Sequence, residues 1–463
     1  MNERNISKKT FASAILILVV LILLSGLLTW IIPTGSYERA IVDGEQVIVP
    51  GSFKFTDQER LPVYKWAAAP VSVLWTSDGV LIIAIIIFLL VIGGAIHVLN
   101  EARILSTIIT SVVKRFKDKK YVLMGLIVFI FMCLGAFIGI FEEIVPLVPL
   151  MIALAIELKW DVLTGLGMSL VACGFGFSAA VTNPFTIGIA QEISGVPMFS
   201  GAGYRLLIFF ITYIVLMAFL MLYTKRIKPE AQSTVDSGVR AEGAPIDNRK
   251  GVIWFAVVTC FMVCLVLLSP VVPAISAYNL PIIALLFIIS GVGGGLLSGL
   301  SLREVGQKFF KGALFMSPGI VLILLASGVK HIIATGGIMD SILYYASGWI
   351  ASSTKINAVL GIYFLVLVLN FFIGSGSAKA FIVMPIIAPL LDMIGISRQL
   401  GILAFQFGDG FSNIMYPTNA VLLISLGLAS VSYPKWFKWI FKIQLVMVIL
   451  SIGLLWLGLK LNY

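Results

Sequence analysis

Apolar runs of close to twenty residues recur from one end of the chain to the other, separated by short polar stretches. An α-helix needs about twenty such residues to cross roughly 30 Å of hydrocarbon, so each run predicts a spanning helix. The runs 11–33, 79–99, 204–224, 252–272 and 439–460 are nearly free of charge. Elsewhere the pattern is punctuated. Segment 121–158 has two apolar arms around Gly139–Glu143, and 356–394 has two around Gly374–Lys379. Two further apolar stretches break at Ser178–Pro184 and Asp409–Thr418. In hydrocarbon every backbone polar group needs a partner, so such breaks occur only where protein or a water-filled cavity covers them.

Composition agrees with this reading. Of the 463 residues, 60% are hydrophobic and 12% charged, against about 25% charged in ordinary soluble domains. Mean hydropathy is +1.07. A water-soluble globule, a disordered chain, a collagen and a disulfide-stapled module are excluded. The formal charge of +10 does not indicate nucleic acid, because the basic residues sit in short loops, as cytoplasmic loops require. Cys133, Cys173, Cys260 and Cys264 lie inside apolar runs and read as packing residues. His97 and His331 are too few for a histidine-based metal site. The first run exceeds a signal-peptide core and has no small-residue cleavage site after it, so it is expected to be retained.

Charge sets the topology. Arg4, Lys8 and Lys9 place the N-terminus inside. Loop 34–65, with five acidic and four basic residues, suits the outside. Residues 79–99 return inward to Lys114, Arg115, Lys117, Lys119 and Lys120, an anchor that would also suit anionic lipid. Residues 225–250 carry six basic and four acidic side chains among Ser, Gly and Pro, and read as a flexible cytoplasmic linker. Lys435, Lys438 and Lys442 mark the inside before the last run. The helices 204–224 and 439–460 therefore point in opposite directions.

That inversion prompts a search for an internal repeat. FIGIFEEIVPLVPLM (137–151) resembles FIGSGSAKAFIVMPII (372–387), and GFSAAVTNPF (176–185) resembles GFSNIMYPTN (410–419), at nearly the same offset. GGAI (93–96) recurs as GGIM (336–339). The expected plan is a tail at 1–10, a first repeat at 11–224, a linker and extra helix at 225–280, and a second repeat at 281–463. Charge parity makes 121–158 a hairpin entered and left from the cytoplasm, and 356–394 one entered and left from outside. The fold class is thus an all-α polytopic membrane protein: two inverted repeats, about nine spanning helices and two re-entrant hairpins. Amphipathic stretch 301–314 is expected at the inner surface, as a scaffold tie or a plain connector.

Inverted repeats with interrupted helices meeting at mid-membrane are the arrangement of secondary transporters. Exposed helix N-termini there hold a carboxylate, while loose carbonyls and side-chain oxygens hold a cation. Ionisable residues at the breaks are Glu142, Glu143, Lys379 and Asp409, each costing about 2.5–3.5 kcal/mol at a helix centre on insertion scales. Three carboxylates against one amine leave a surplus of negative charge for a cationic substrate, a proton or a coupling cation such as Na+ near Asp409 and Asn183. The alternative is an internal ion pair, Lys379 with Glu142 or Asp409. Ser375 and Ser377 in GSGS offer hydroxyls at a sharp turn, while Asn183, Ser412 and Asn413 offer donors and acceptors at the interruptions. Gln191 and Gln406 are second-line candidates.

Other function classes fit poorly. An intramembrane serine protease built on Ser375 or Ser377 needs a histidine base, and His331 sits near the start of an unrelated apolar segment. An aspartyl protease built on Asp409 needs a second aspartate beside it. A channel usually repeats its filter segments, whereas these two hairpins differ, one acidic and the other carrying serines and a lysine.

The stretches TNPFTIGIAQEISGVPMFSGAGYR (182–205) and NFFIGSGSAKAFIVMPIIAPLLDMIGISRQLGILAFQFGDGFSNIMYPTNA (370–420) resemble the anaerobic C4-dicarboxylate carrier family. So do the acidic pair Glu142–Glu143 and IIPTGSY (31–37), and the resemblance covers nearly the whole chain. It is strongest to a branch named for basic amino-acid, or arginine/ornithine, antiporters, within the ion-transporter superfamily that includes the aminobenzoyl-glutamate transporters. The resemblance implies an elevator mechanism on a homodimeric scaffold, with no enzymatic activity and no cofactor. It carries a substrate role to Ser375, Ser377, Asn183, Asp409, Ser412 and Asn413. Family members commonly have glycine where Ala378 and Phe141 stand here, which narrows the expected pocket. The expected substrate is a basic or zwitterionic amino acid, or alternatively a C4-dicarboxylate or other small carboxylate. The expected location is the cytoplasmic membrane of a bacterium.

Overall fold

The computed structural model describes residues 8–42, 45–76, 79–116, 119–227, 248–268, 272 and 278–463. Residues 1–7 of the expected tail, Lys117, residues 228–247 of the expected linker, and residues 269–271 at the end of the expected extra helix lie outside the described residues. The first half of the chain starts with α1 (Lys8–Ile31), α2 (Val63–Ser72), α3 (Gly79–Glu101) and α4 (Ile104–Arg115). α5 (Lys120–Cys133) widens into a π-helical turn, Leu134–Ile138, and the chain returns through a 3-10 turn, Glu142–Leu147, and α6 (Val148–Glu157). α7 (Val162–Leu166) leads through a π-helical turn, Gly167–Val171, into α8 (Ala172–Ala179). After an interruption, Pro184–Gly188 and α9 (Ile189–Ile193) resume the course, and α10 (Ala202–Thr224) closes the half.

The second half follows the same order. α11 (Arg249–Leu268) precedes α12 (Asn279–Leu297), α13 (Leu302–Phe315), α14 (Ser317–Thr335) and α15 (Met339–Ala351). α16 (Lys355–Phe372) and α17 (Gly376–Ile394) flank the second turn-back. α18 (Arg398–Gly410), a 3-10 turn at Phe411–Ile414 and α19 (Ala420–Leu428) form the second interrupted helix, and α20 (Tyr433–Lys460) ends the chain.

Ten helical segments among the described residues are long and apolar enough to cross a membrane. The chain is an all-α polytopic membrane protein. Three of those ten, Lys120–Ile138, Lys355–Phe372 and Gly376–Ile394, are arms of the two turn-backs. The remaining seven are separate from the turn-backs, and two further helical courses among the described residues, α11 and the broken α18–α19, fall outside that set of ten. Both turn-backs close at their bases. The Tyr121 and Trp160 rings lie 5.8 Å apart, with the Lys120 ammonium 5.7 Å from the Trp160 ring. At the other, Lys355 Nζ donates to the Gly395 carbonyl at 2.8 Å. Each segment ends beside the place where it begins, as a re-entrant hairpin does.

Burial separates centre from periphery. Residues 163–181 of the first interrupted helix are all buried, whereas α1 turns Leu16, Leu23, Leu24 and Leu27 outward. The outer helices carry most of the exposed apolar side chains, and the interrupted ones are largely covered.

Three details differ from the sequence reading, and one alternative it left open, at 301–314, is decided. Loop 34–65 contains two short antiparallel strand pairs, Gly35–Ser36 with Lys54–Phe55 and Arg39–Val42 with Glu45–Ile48. The alternation in RAIV and EQVI, split by Asp-Gly, is a hairpin signal. This loop is fastened to the helices by buried Asp340 of α15, which pairs with Arg39 Nη2 at 2.9 Å and accepts from the Tyr37 amide at 2.9 Å. The last helix begins at Tyr433, so exposed Lys435, Lys438 and Lys442 ride on it rather than precede it. Stretch 301–314 is not a plain connector. α13, started by a Ser301–Glu304 capping box, crosses α3 so closely that a Cβ on Gly312 would lie 2.4 Å from the Gly93 carbonyl oxygen. Lastly, Gly93–Gly94 lie inside α3 while Gly336–Gly337 end α14, so GGAI and GGIM do not occupy matching places.

Candidate functional site

The two hairpin tips point at the helix interruptions. Gly139 ends the first descending arm with φ of 79°, a left-handed conformation that favours glycine. A Cβ there would lie 2.3 Å from Asn183 Oδ1, so this tip touches the first interruption directly. Just beyond it, Glu142 is exposed and Glu143 half-buried, and the Glu143 carboxylate accepts from the Phe141 amide at 3.2 Å. At the second tip Ser375 caps α17, its Oγ accepting from the Ala378 amide at 3.3 Å and lying 3.1 Å from Ser377 Oγ. Of these two hydroxyls only one proton is used between them, which leaves one for a ligand. A Cβ on Gly376 would sit 2.6 Å from Thr186 Cγ2 and 2.9 Å from Asp409 Oδ2. The second tip is therefore wedged between both interrupted helices, which themselves cross where a Cβ on Gly410 would meet Ser178 Oγ at 2.5 Å.

The two interruptions are built alike. Ser178 Oγ donates back to the Gly174 carbonyl, and Ser412 Oγ to that of Gly408. Each course resumes under an asparagine cap, Asn183 accepting from the Phe185 amide and Asn419 from that of Leu422. Carbonyls orphaned by a break need donors, and the closing helix of each half supplies them. In the first half fully buried Arg205 donates to Ala180 O and Val181 O, both at 3.0 Å, to Ser200 O at 2.8 Å and to the Tyr463 hydroxyl at 2.9 Å. In the second, Gln444, Trp436 and Tyr433 donate to the carbonyls of Phe411, Ile414 and Met415.

Lys379 joins the second tip to the second interruption. Its side chain is 0% exposed and its Nζ lies 2.7 Å from Asp409 Oδ1. Its hydrogen bonds go to Asn370 Oδ1 at 2.5 Å and to the Ile373 carbonyl at 2.6 Å. Asn370 in turn donates to Asp409 O, Ser412 Oγ and Asn413 Oδ1. Ser412 and Asn413 thus hold Asn370 in place and are buried behind it. Lys379 and Asp409 lie in the end turns of α17 and α18, not in the unwound stretches.

The structure brings Asn183, Ser375, Ser377, Lys379, Asp409, Ser412 and Asn413 into one region, with Glu142 and Glu143 on the facing tip. Gln191 is placed elsewhere: it bonds Ser200 O, the Phe199 amide and Gln399. Gln406 donates to Phe177 O from within the helix crossing. Buried polar atoms without a hydrogen-bond partner collect here, among them Asn183 Nδ2, Thr186 Oγ1 and Gln406 Oε1. Among the described residues no three His, Cys, Asp or Glu side chains group as a metal site.

Sequence reasoning missed four residues. Asn370 and Thr186 are ordinary polar residues in apolar runs, and Arg205 looks like a loop charge. The fourth changes the electrostatics. Lys330, far along α14, lies where a Cβ on Gly374 would be 2.6 Å from its Nζ, and it is within electrostatic range of Glu142. Its neighbour His331 is also near the C-terminal end of α14, not at the start of an unrelated segment. A lone lysine at a membrane depth was the available signal. Three carboxylates, Glu142, Glu143 and Asp409, now face two amines, Lys330 and Lys379. The formal surplus is one negative charge rather than two, and Asp409 is paired with Lys379.

Residues 11–460 match the family model described as C4-dicarboxylate anaerobic carrier. This chain belongs to that family. A relative from Escherichia coli (strain K12), named "Putative basic amino acid antiporter YfcC", is 28% identical over 468 residues, covering 92% of this chain and 91% of its own. A Haemophilus influenzae protein of unassigned function is 24% identical, covering 96% of both. Among solved structures, the Alcanivorax borkumensis YdaH transporter aligns with a TM-score of 0.43 and 17% identity over 97% of this chain and 99% of its own. Neisseria gonorrhoeae MtrF, of a class of antimetabolite efflux pumps, aligns with a TM-score of 0.42 and 17% identity over 96% and 94%. The protein is a membrane transporter of the C4-dicarboxylate carrier family and not an enzyme.

Proposed function

We propose that this carrier exchanges basic amino acids, of the arginine and ornithine type, across the cytoplasmic membrane of a bacterium in which its N-terminus faces inside. The observation that carries the reading is the charge count at the facing tips. Beside the Lys379–Asp409 pair, Glu142, Glu143 and Lys330 together carry one formal negative charge in excess. A basic amino acid is a zwitterion with one extra positive charge and neutralises that excess. Its cationic end would meet Glu142 and Glu143. Its carboxylate would meet Lys330, the hydroxyls of Ser375 and Ser377 and the N-terminus of α17, where helix dipole and free amides favour an anion. The name of the Escherichia coli relative supports the same class.

A C4-dicarboxylate, the substrate class in the family's name, is the second reading. It brings two negative charges to a site already in negative excess, so it fits only if Glu142 and Glu143 are neutral. Movement would be of the elevator type, with the hairpins and interrupted helices carrying substrate against α1, α3, α12 and α13 in a homodimer. Thermal stability of the purified protein with arginine, ornithine, succinate and a neutral amino acid tests the substrate class. A ligand that binds only the folded state at a hundred times its Kd stabilises by about 2.7 kcal/mol. The reading expects that shift with arginine and ornithine, and a shift with succinate alone overturns it.

A further inference from the structure

We infer that the ammonium of Lys379 is a built-in substitute for a coupling cation, so that transport by this chain needs no sodium. The oxygens around Lys379 Nζ are one carboxylate oxygen of Asp409 at 2.7 Å, one amide oxygen of Asn370 at 2.5 Å and one main-chain carbonyl of Ile373 at 2.6 Å. A carboxylate, an amide oxygen and a carbonyl released by an unwound hairpin tip are the hard oxygen donors that take up alkali cations in carriers with broken helices. Here that set is filled from within the chain. The ammonium is fully buried, and Asn370 is fixed by its Nδ2 group, whose two protons are shared among Asp409 O, Ser412 Oγ and Asn413 Oδ1. The pocket is preorganised around a single positive charge.

The location gives that charge a task. Lys379 stands on the second hairpin and Asp409 on the second interrupted helix, and the Ile373 carbonyl belongs to the tip that Ser375 continues. A cation at this point ties the tip to the helix beside the substrate groups. In a sodium-coupled carrier that tie forms only with the ion bound, so transport follows the ion gradient. A covalently attached ammonium is present on every passage and contributes no gradient. The carrier then runs on the substrate gradient alone, as an exchanger does. The inference deepens the exchange reading above and is separable from it, because one arm of its test needs no substrate.

The test uses the full-length protein in detergent and in liposomes. Wild-type transport, of whichever substrate the stability screen identifies, is expected to be unchanged when Na+ is replaced by choline, and Na+ is expected to leave the wild-type melting temperature where it was. Lys379→Ala removes the ammonium and leaves the oxygens. It is expected to lose most transport, to melt several degrees higher in Na+ or ethylammonium than in choline, and to recover part of its transport with either. Lys379→Ala/Asp409→Asn, which removes both charges, is expected to show no such response. Wild-type transport that stops without Na+, a wild-type protein stabilised by Na+, or a folded Lys379→Ala indifferent to both cations overturns the inference. If Lys379→Ala does not fold, the two wild-type measurements still decide. A dicarboxylate substrate with sodium-free transport would refute the amino-acid reading and leave this one standing.

Discussion

Replacing Arg205 with methionine is the sharpest structural test of how the first interruption is held. Nothing in its position, four residues into a closing helix, marks it as central, yet its side chain is fully buried and gives its donors to Ala180, Val181, Ser200 and Tyr463. Two of those acceptors are carbonyls freed where α8 stops, at the negative end of that helix's dipole. A hydrogen bond to a charged group contributes about 1.5–3 kcal/mol, and a buried group left without a partner costs about 1–3 kcal/mol. The bonds share one side chain, so they do not add in full. A loss of about 3–5 kcal/mol is expected, similar to breaking a buried charged pair and large against a total stability of 5–15 kcal/mol. Arg205→Lys keeps the charge but not the planar fork, and should fall between. Unfolding in mixed micelles, followed by tryptophan fluorescence, measures both. An Arg205→Met protein within about 1 kcal/mol of wild type would mean that the broken carbonyls find other partners, and would refute the reasoning.

Gly376→Ala places a methyl 2.6 Å from Thr186 Cγ2 and 2.9 Å from Asp409 Oδ2; it should cost about 1–3 kcal/mol by overpacking and slow transport in a protein that still inserts, as counterflow assays would show. Glu142 is exposed, so Glu142→Gln should leave stability within about 0.5 kcal/mol while weakening arginine binding about tenfold or more, read by titration calorimetry. Asp409→Asn leaves the Lys379 ammonium buried without its carboxylate and should cost about 3–5 kcal/mol, a loss relieved in part by adding Lys379→Met; a thermal double-mutant cycle checks the coupling. Asp340→Asn should loosen the outer loop at a cost of about 1.5–3 kcal/mol, seen as faster proteolysis within residues 34–65.

The frame of the molecule was legible because the membrane imposes simple rules. Run length marked the spans, charge parity marked the hairpins, and glycine and proline marked the breaks. The pairing of the Ser178 and Ser412 turns was visible as a repeated GFS. What stayed hidden depends on contacts between distant segments. Arg205 and Gln444 look alike in sequence to any polar residue near a helix end, and only folding shows which carbonyls they reach. Lys330 is separated from the tip at Gly374 by an entire helix and hairpin arm, so its charge entered no local count. Lys379 was identified as an intramembrane charge, but its choice of Asp409 over Glu142 required the crossing of α17 with α18. The capping asparagine Asn419 was passed over for Asn413, because the resemblance of GFSNIMYPTN to GFSAAVTNPF aligns letters whereas the caps align by where each helix resumes.

Counterflow decides the central claim. Liposomes holding the purified protein and loaded with ornithine should take up labelled arginine, and should take up none when loaded empty. Unlabelled arginine or ornithine outside should compete, and succinate should not. Uptake of labelled succinate into succinate-loaded vesicles, with no arginine uptake from the same folded preparation, would contradict the account and return Glu142 and Glu143 to a role other than holding the cationic end of a substrate.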